Sequence, residues 1–180
     1  LIDHGRNYIE KNYKRPFWDT QIRNLLSVLL RNQNLFRTLG FFIRFLKPIK
    51  FLLTKKINKM ITLMPSHFPK KEMREKQVYP VKKGKRIARV ALLSGCVQRT
   101  LSPQINEATI RLLNRHGVEV IVPKKILCCG SLNHHLGKEY SAHKDFENNI
   151  NIWYKEYLNV GLDAIISNTS GCGTTLKDYG

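Results

Sequence analysis

Acidic residues are scarce in this chain: its 180 residues hold 13 Asp and Glu against 31 Lys and Arg, a formal charge of +18 at pH 7. The imbalance is local, with 22 basic and 5 acidic side chains in residues 1–90 and 9 and 8 in residues 91–180. Such an excess attracts phosphate, whether of nucleic acid or of an anionic lipid leaflet, unless it only decorates a solvated surface. Other absences narrow the choice. No charged, apolar and small-residue succession marks a secretory signal at the start. No stretch reaches the roughly 20 apolar residues that a membrane-crossing helix needs. A dinucleotide fingerprint is missing, since the glycine-bearing loop reads Ser94-Gly95-Cys96-Val97-Gln98-Arg99 rather than Gly-x-Gly-x-x-Gly. Zinc-finger spacing and a helix-turn-helix pattern are absent from the basic half, and few aromatics stand among its lysines, so nucleic acid is not the expected partner. Cysteines number only four, and two are adjacent, which suits no simple disulfide framework. Metal-binding thiolates in a reducing, cytoplasmic setting are expected instead.

The chain is organised around Leu127-Cys128-Cys129-Gly130-Ser131. Neighbours on an extended strand point to opposite faces, so adjacent cysteines aim both sulfurs at one ion or cluster only where the backbone turns. Gly130 supplies that turn. The other two cysteines lie in similar settings, Ser94-Gly95-Cys96 and Ser170-Gly171-Cys172-Gly173. All four therefore follow apolar runs beside glycine, unlike cysteines that merely pack.

In the basic half, Leu1 to Tyr13 reads as a helix stopped by Pro16, and Phe17 to Arg31 as a second with Ile22, Leu25, Leu26, Leu29 and Leu30 on one stripe. Leu35 to Leu53 is the most apolar segment, with Phe36, Leu39, Phe42, Ile43 and Leu46 at helical spacing and arginines and lysines between them. This helix is expected to pack its stripe on protein, the rival being an anionic membrane surface. Ile61 to Gly84, rich in Pro and Lys, reads as a surface linker.

The second half alternates strand and helix. Strands are expected over Ile87–Leu93, Val118–Val122 and Ala164–Ser167, and helices over Pro103–His116, Tyr140–Leu158 and onward from Thr174. The first helix is expected to turn Ile105, Ala108, Thr109, Leu112 and Leu113 inward, the second Ala142, Phe146, Ile150, Trp153, Tyr154 and Tyr157. The fold class is thus α/β: a basic helical N-terminal region followed by a three-layer parallel-sheet cysteine-rich domain. Parallel strands deliver their following loops to one edge. Cys96, Cys128, Cys129 and Cys172 would then converge, although 31 residues separate Cys96 from Cys128 and 42 separate Cys129 from Cys172. Four such thiols suit an iron–sulfur cluster or zinc. The zinc alternative makes the module a protein-interaction unit without a redox role. His134 and His135 stand a few residues beyond the turn, as a further ligand, a donor to a cluster, a proton carrier or a surface pair.

The runs Val90-Ala-Leu-Leu-Ser-Gly-Cys-Val-Gln98, Pro103-Gln-Ile-Asn-Glu-Ala-Thr109, Cys128-Cys-Gly-Ser-Leu-Asn-His-His-Leu-Gly137 and Asn168-Thr-Ser-Gly-Cys172 closely resemble the iron–sulfur subunits of bacterial glycolate oxidases. These belong to the group with a CCG cysteine-rich domain, shared with the heterodisulfide reductases. The likeness is strong over residues 86–180 and looser before them. It implies an electron-transfer subunit with no catalytic substrate site, in which Cys96, Cys128, Cys129 and Cys172 hold a 4Fe-4S type cluster. It further implies FAD on a partner subunit of a glycolate-oxidising complex, quinone as acceptor, and a cytoplasmic position, peripheral on the inner face of the bacterial inner membrane. The opening at Leu1 rather than Met fits a piece of a longer protein: residues 1–16 as the tail of an upstream ferredoxin-like domain, 17–85 as basic helices and linker, 86–180 as a first CCG repeat. The group's pattern ends in Cys-x-x-Cys, but Thr169 stands where the first of these would be and only Cys172 remains.

Overall fold

The computed structural model describes residues 2–46, 48, 58–59, 61–62 and 78–179. Three helices come first: α1 (Ile2–Asn12), α2 (Phe17–Leu29) and α3 (Gln33–Leu46). Pro16 caps α2 at φ −53°, the fixed value that suits a helix start. The helix expected to reach Leu53 is described as far as Leu46. Residues 47 and 49–53 lie outside the described ones. Along α3, Phe36 is buried and Leu39 and Ile43 are half-buried, whereas Phe42 faces outward beside Phe41 and Phe45 in edge-to-face contacts. Part of the expected stripe therefore packs on protein and part does not. The Leu46 side chain lies outside the described ones.

The rest is an α/β layer structure. Its elements are β1 (Val78–Tyr79), β2 (Ala88–Leu93), α4 (Gln98–Leu101), α5 (Pro103–Arg115), β3 (Val118–Ile121), α6 (Ser131–His135), α7 (Glu139–Val160), β4 (Ala164–Ser167) and α8 (Ser170–Lys177). The sheet order is β1-β3-β2-β4. Strand β2 is central and runs parallel to both β3 and β4, with Val90 opposite Val120 on one side and Ala164 on the other. The sheet is nevertheless mixed, because β1 pairs antiparallel with β3, Val78 opposite Ile121. That strand falls inside the segment read as linker: two residues show no alternation to detect, and their pairing is supplied by β3. Of that segment, residues 63–77 lie outside the described ones.

Alternation along β2 divides the core. Val90 and Leu92 join Ile110 of α5 and Val120. Ala91 and Leu93 turn to the opposite face, onto Trp153 of α7, Ile121, Cys128 and Cys129, with Leu176 of α8 packed alongside. Helices thus cover both faces, and each strand residue chooses its layer by parity. Arg89 is buried among three oxygens, donating to Glu119 at 2.9 Å, Glu156 at 2.8 Å and the Gly161 carbonyl at 2.8 Å, which ties the end of α7 to the sheet.

The inner faces of α5 and α7 differ from expectation. On α5 the buried positions are Pro103, Asn106 and Ile110, while Ile105 and Leu112 are exposed. On α7 Ala142, Phe146 and Trp153 are inside as expected, joined by Asp145 and Asn149, while Ile150, Tyr154 and Tyr157 face out. Polar side chains take core positions on both helices, and the hydrogen bonds below are the reason. Among the described residues no helix is long and apolar enough to cross a membrane.

Candidate iron–sulfur site

The loops after β2, β3 and β4 meet at the carboxyl edge of the three parallel strands. Cys96 Sγ lies 3.5 Å from Cys128 Sγ, and Cys129 Sγ lies 3.0 Å from Cys172 Sγ. All four cysteines are free; Cys128 and Cys129 are buried and Cys96 and Cys172 half-buried. Cys172 sits in the first turn of α8, which begins at Ser170, four residues earlier than the sequence indicates. The sharp bend that lets adjacent cysteines share one site is Gly130, at φ +78°. A Cβ there would overlap the Phe146 ring, so glycine is needed for both conformation and space.

The bend is held from below by side chains that sequence reasoning passed over. Asn149 of α7 is fully buried. Its Oδ1 accepts from the Leu127 N–H at 2.9 Å and its Nδ2 donates to the Cys128 carbonyl at 2.9 Å. The Tyr179 hydroxyl donates to the Cys129 carbonyl at 2.9 Å, and its ring stacks on Phe146 at 4.2 Å. Burial pushes the Tyr179 hydroxyl pKa up, which keeps it a donor. A second network fixes the other two loops. Asn106 donates to the Ser94 carbonyl at 2.8 Å, and Gln98 Nε2 donates to Asn106 at 3.0 Å and Asn168 at 2.6 Å. Thr169 donates its hydroxyl to Gln98 Oε1. The one signal in the sequence was spacing: Ala142, Asp145, Phe146, Asn149 and Trp153 share one helix face, as do Pro103, Asn106 and Ile110.

Cys129 donates to Cys172, and contact with Cys129 lowers the pKa of Cys128 and of Cys172 while raising that of Cys129 itself. Cys96 is raised likewise, chiefly by its hydrogen bond with Cys128 and then by burial. The Gly130 and Val97 backbone N–H groups point at Cys128 and Cys96 respectively and favour thiolate. Turned toward one another in this way, the thiols form no ion-sized cage: among the described residues no three His, Cys, Asp or Glu side chains are arranged as a metal-ion site. Four soft sulfurs on three loops are the donor set that an iron–sulfur cluster needs, and Cys96, Cys128, Cys129 and Cys172 would hold it. The histidines are engaged elsewhere. His135 Nδ1 is 2.9 Å from Asp3 of α1 and His134 Nε2 is 3.6 Å from it, and among the described residues neither ring bonds a cysteine sulfur.

The cysteine-rich domain family CCG matches residues 90–177. The chain is 32% identical over 180 residues to the glycolate oxidase iron-sulfur subunit of Escherichia coli (strain K12), covering all of this chain and 41% of that protein. It is 28% identical over 191 residues to the probable glycolate oxidase iron-sulfur subunit of Bacillus subtilis (strain 168), covering 99% of this chain and 42% of the relative. A shorter likeness, 40% over 92 residues, links 51% of this chain to 18% of an uncharacterized iron-sulfur protein of Methanococcus maripaludis. The chain thus spans about two fifths of the length of the two curated relatives that match it end to end. No solved structure matches it. With its cysteine-bearing loops at one sheet edge, the segment 90–177 matches the CCG cysteine-rich domain, and the chain as a whole is similar to the glycolate oxidase iron–sulfur subunits.

Proposed function

We propose that the chain is part of the iron–sulfur electron-transfer subunit of a complex that oxidises glycolate or a related 2-hydroxy acid. Cys96, Cys128, Cys129 and Cys172 are the ligands of a cluster of 4Fe-4S type. The observation that carries this reading is the meeting of four free thiols from three loops, braced by Asn149, Tyr179 and Gln98. When bound, the cluster supplies one-electron chemistry. The protein's part is to present the sulfurs and hold the loops in register. FAD belongs to a partner subunit and quinone is the acceptor, with the complex peripheral on the inner face of the bacterial inner membrane. The division into residues 1–16, 17–85 and 86–180 is part of the same proposal.

The test is anaerobic purification followed by iron and acid-labile sulfide analysis and visible absorption. Brown protein containing both elements is expected, and each single Cys→Ser change lowers both, since a hydroxyl replaces soft sulfur poorly. Thr169→Cys is tolerated. Colourless protein carrying zinc overturns the redox reading, as does full iron content in both Cys96→Ser and Cys172→Ser.

A further inference from the structure

A cavity of about 500 Å³ opens between the basic helices and the cysteine loops. Cys96 and Cys128 line it on one side; Val28, Arg31 and Asn32, at the junction of α2 and α3, line it on another, and Arg99 of α4 on a third. Arg31 lies outside the residues matched by the cysteine-rich family, so the site borrows a cation from the helical half. It is held there by an ion pair with Asp145, a fully buried residue of α7. The Nε atoms of Arg31 and Arg99 are buried without a hydrogen-bond partner among the described residues. Among the described residues no carboxylate lines the cavity. Two guanidinium groups consequently border the room beside Cys96 and Cys128, and one carboxylate sits behind the first of them.

Building on the proposed function, we infer that Arg31 is a positioning residue that compensates the negative charge of the loaded cysteine site and raises its reduction potential, with Asp145 tethering and partly offsetting it. Reduction adds negative charge, and a nearby cation in a half-buried setting favours the charged form more than it would in water. Arginine suits the place because it stays protonated and its planar fork meets the carboxylate squarely.

The experiment uses the whole chain, reconstituted anaerobically, with iron and sulfide counted and the potential read by a dye-mediated titration followed by electron paramagnetic resonance. Arg31→Gln is expected to lower the potential at unchanged iron content, and Arg31→Lys to restore most of the shift. Asp145→Asn removes the opposing charge and is expected to raise the potential. Arg111→Gln, an exposed change on α5, serves as the control and leaves the potential unmoved. Opposite shifts in the Arg31→Gln and Asp145→Asn proteins are what a merely structural role would not produce. Fully loaded variants whose potentials do not move, or move in the same direction, overturn this inference and leave the proposed function standing. A chain that takes up no iron and sulfide overturns both.

Discussion

Asn149→Ala is the sharpest perturbation of the cysteine turn that leaves every thiol in place. The amide makes two good hydrogen bonds, one from the Leu127 N–H and one to the Cys128 carbonyl, each 2.9 Å, and a longer one of 3.4 Å to the Tyr179 hydroxyl. Removing it orphans one half-buried N–H and one buried carbonyl. An unsatisfied buried group costs about 1–3 kcal/mol. The Leu127 amide, partly open, sits near the low end and the enclosed Cys128 carbonyl near the high end, so the expected loss is about 3–4 kcal/mol. Tyr179→Phe is the matched comparison. It keeps the stack on Phe146 and orphans only the Cys129 carbonyl, for an expected loss of about 1–2 kcal/mol. Urea denaturation of the cofactor-free chain under anaerobic, reducing conditions measures both, with unchanged m-values showing that the unfolding reaction is the same. A loss below about 1 kcal/mol in Asn149→Ala would refute the bracing role. So would a Tyr179→Phe protein at least as unstable, for then the Tyr179 hydroxyl and not the Asn149 amide would be the main brace of the turn.

The remaining expectations follow from the same geometry. Gly130→Ala combines left-handed backbone, costing about 1–2 kcal/mol, with overlap on the Phe146 ring, costing about 1–3 kcal/mol more; denaturation should show it among the least stable single changes, and a near-normal midpoint would mean that the loop can bend another way. The Asp3 carboxyl is held below its ordinary value of 3.8, chiefly by its hydrogen bond with His135 and then by Arg6. A depressed folded-state pKa means the contact contributes fully above the ordinary carboxylate range and is lost as pH falls through the lower, folded value. Amide protection in α1, taken relative to the intrinsic exchange rate at each pH, should therefore fall below about pH 4, and in Asp3→Asn it should already be lower at neutral pH, with α7 unaffected in both cases.

The α/β class and the parallel core were legible because β2, β3 and β4 are short apolar runs, each separated by a helix-length segment. Their register needs only that period. Strand β1 was not legible: Val78–Tyr79 is too short to carry a pattern and becomes a strand only because β3 offers it an edge. The faces of α5 and α7 were misjudged for a different reason. Counting apolar residues places Ile105, Leu112, Tyr154 and Tyr157 inside, but the cysteine loops need amides beneath them, and Asn106 and Asn149 occupy the inner line instead.

The same trade explains what happens at Thr169. The resemblance implies a further cysteine at residue 169, but this chain has a hydroxyl there that donates to Gln98, and Gln98 in turn binds Asn106 and Asn168. The loop after β4 is therefore joined to the loop after β2 by hydrogen bonds between neutral side chains. A cysteine at residue 169 would offer Gln98 Oε1 only a weak S–H donor in place of the hydroxyl. The residue that the family pattern treats as a ligand position thus works here as a loop clamp. Gln98 and Thr169 together do what separate loops otherwise require a shared ligand to do: they keep Cys96 and Cys172, residues from opposite ends of the domain, at one edge of the sheet before any cofactor arrives.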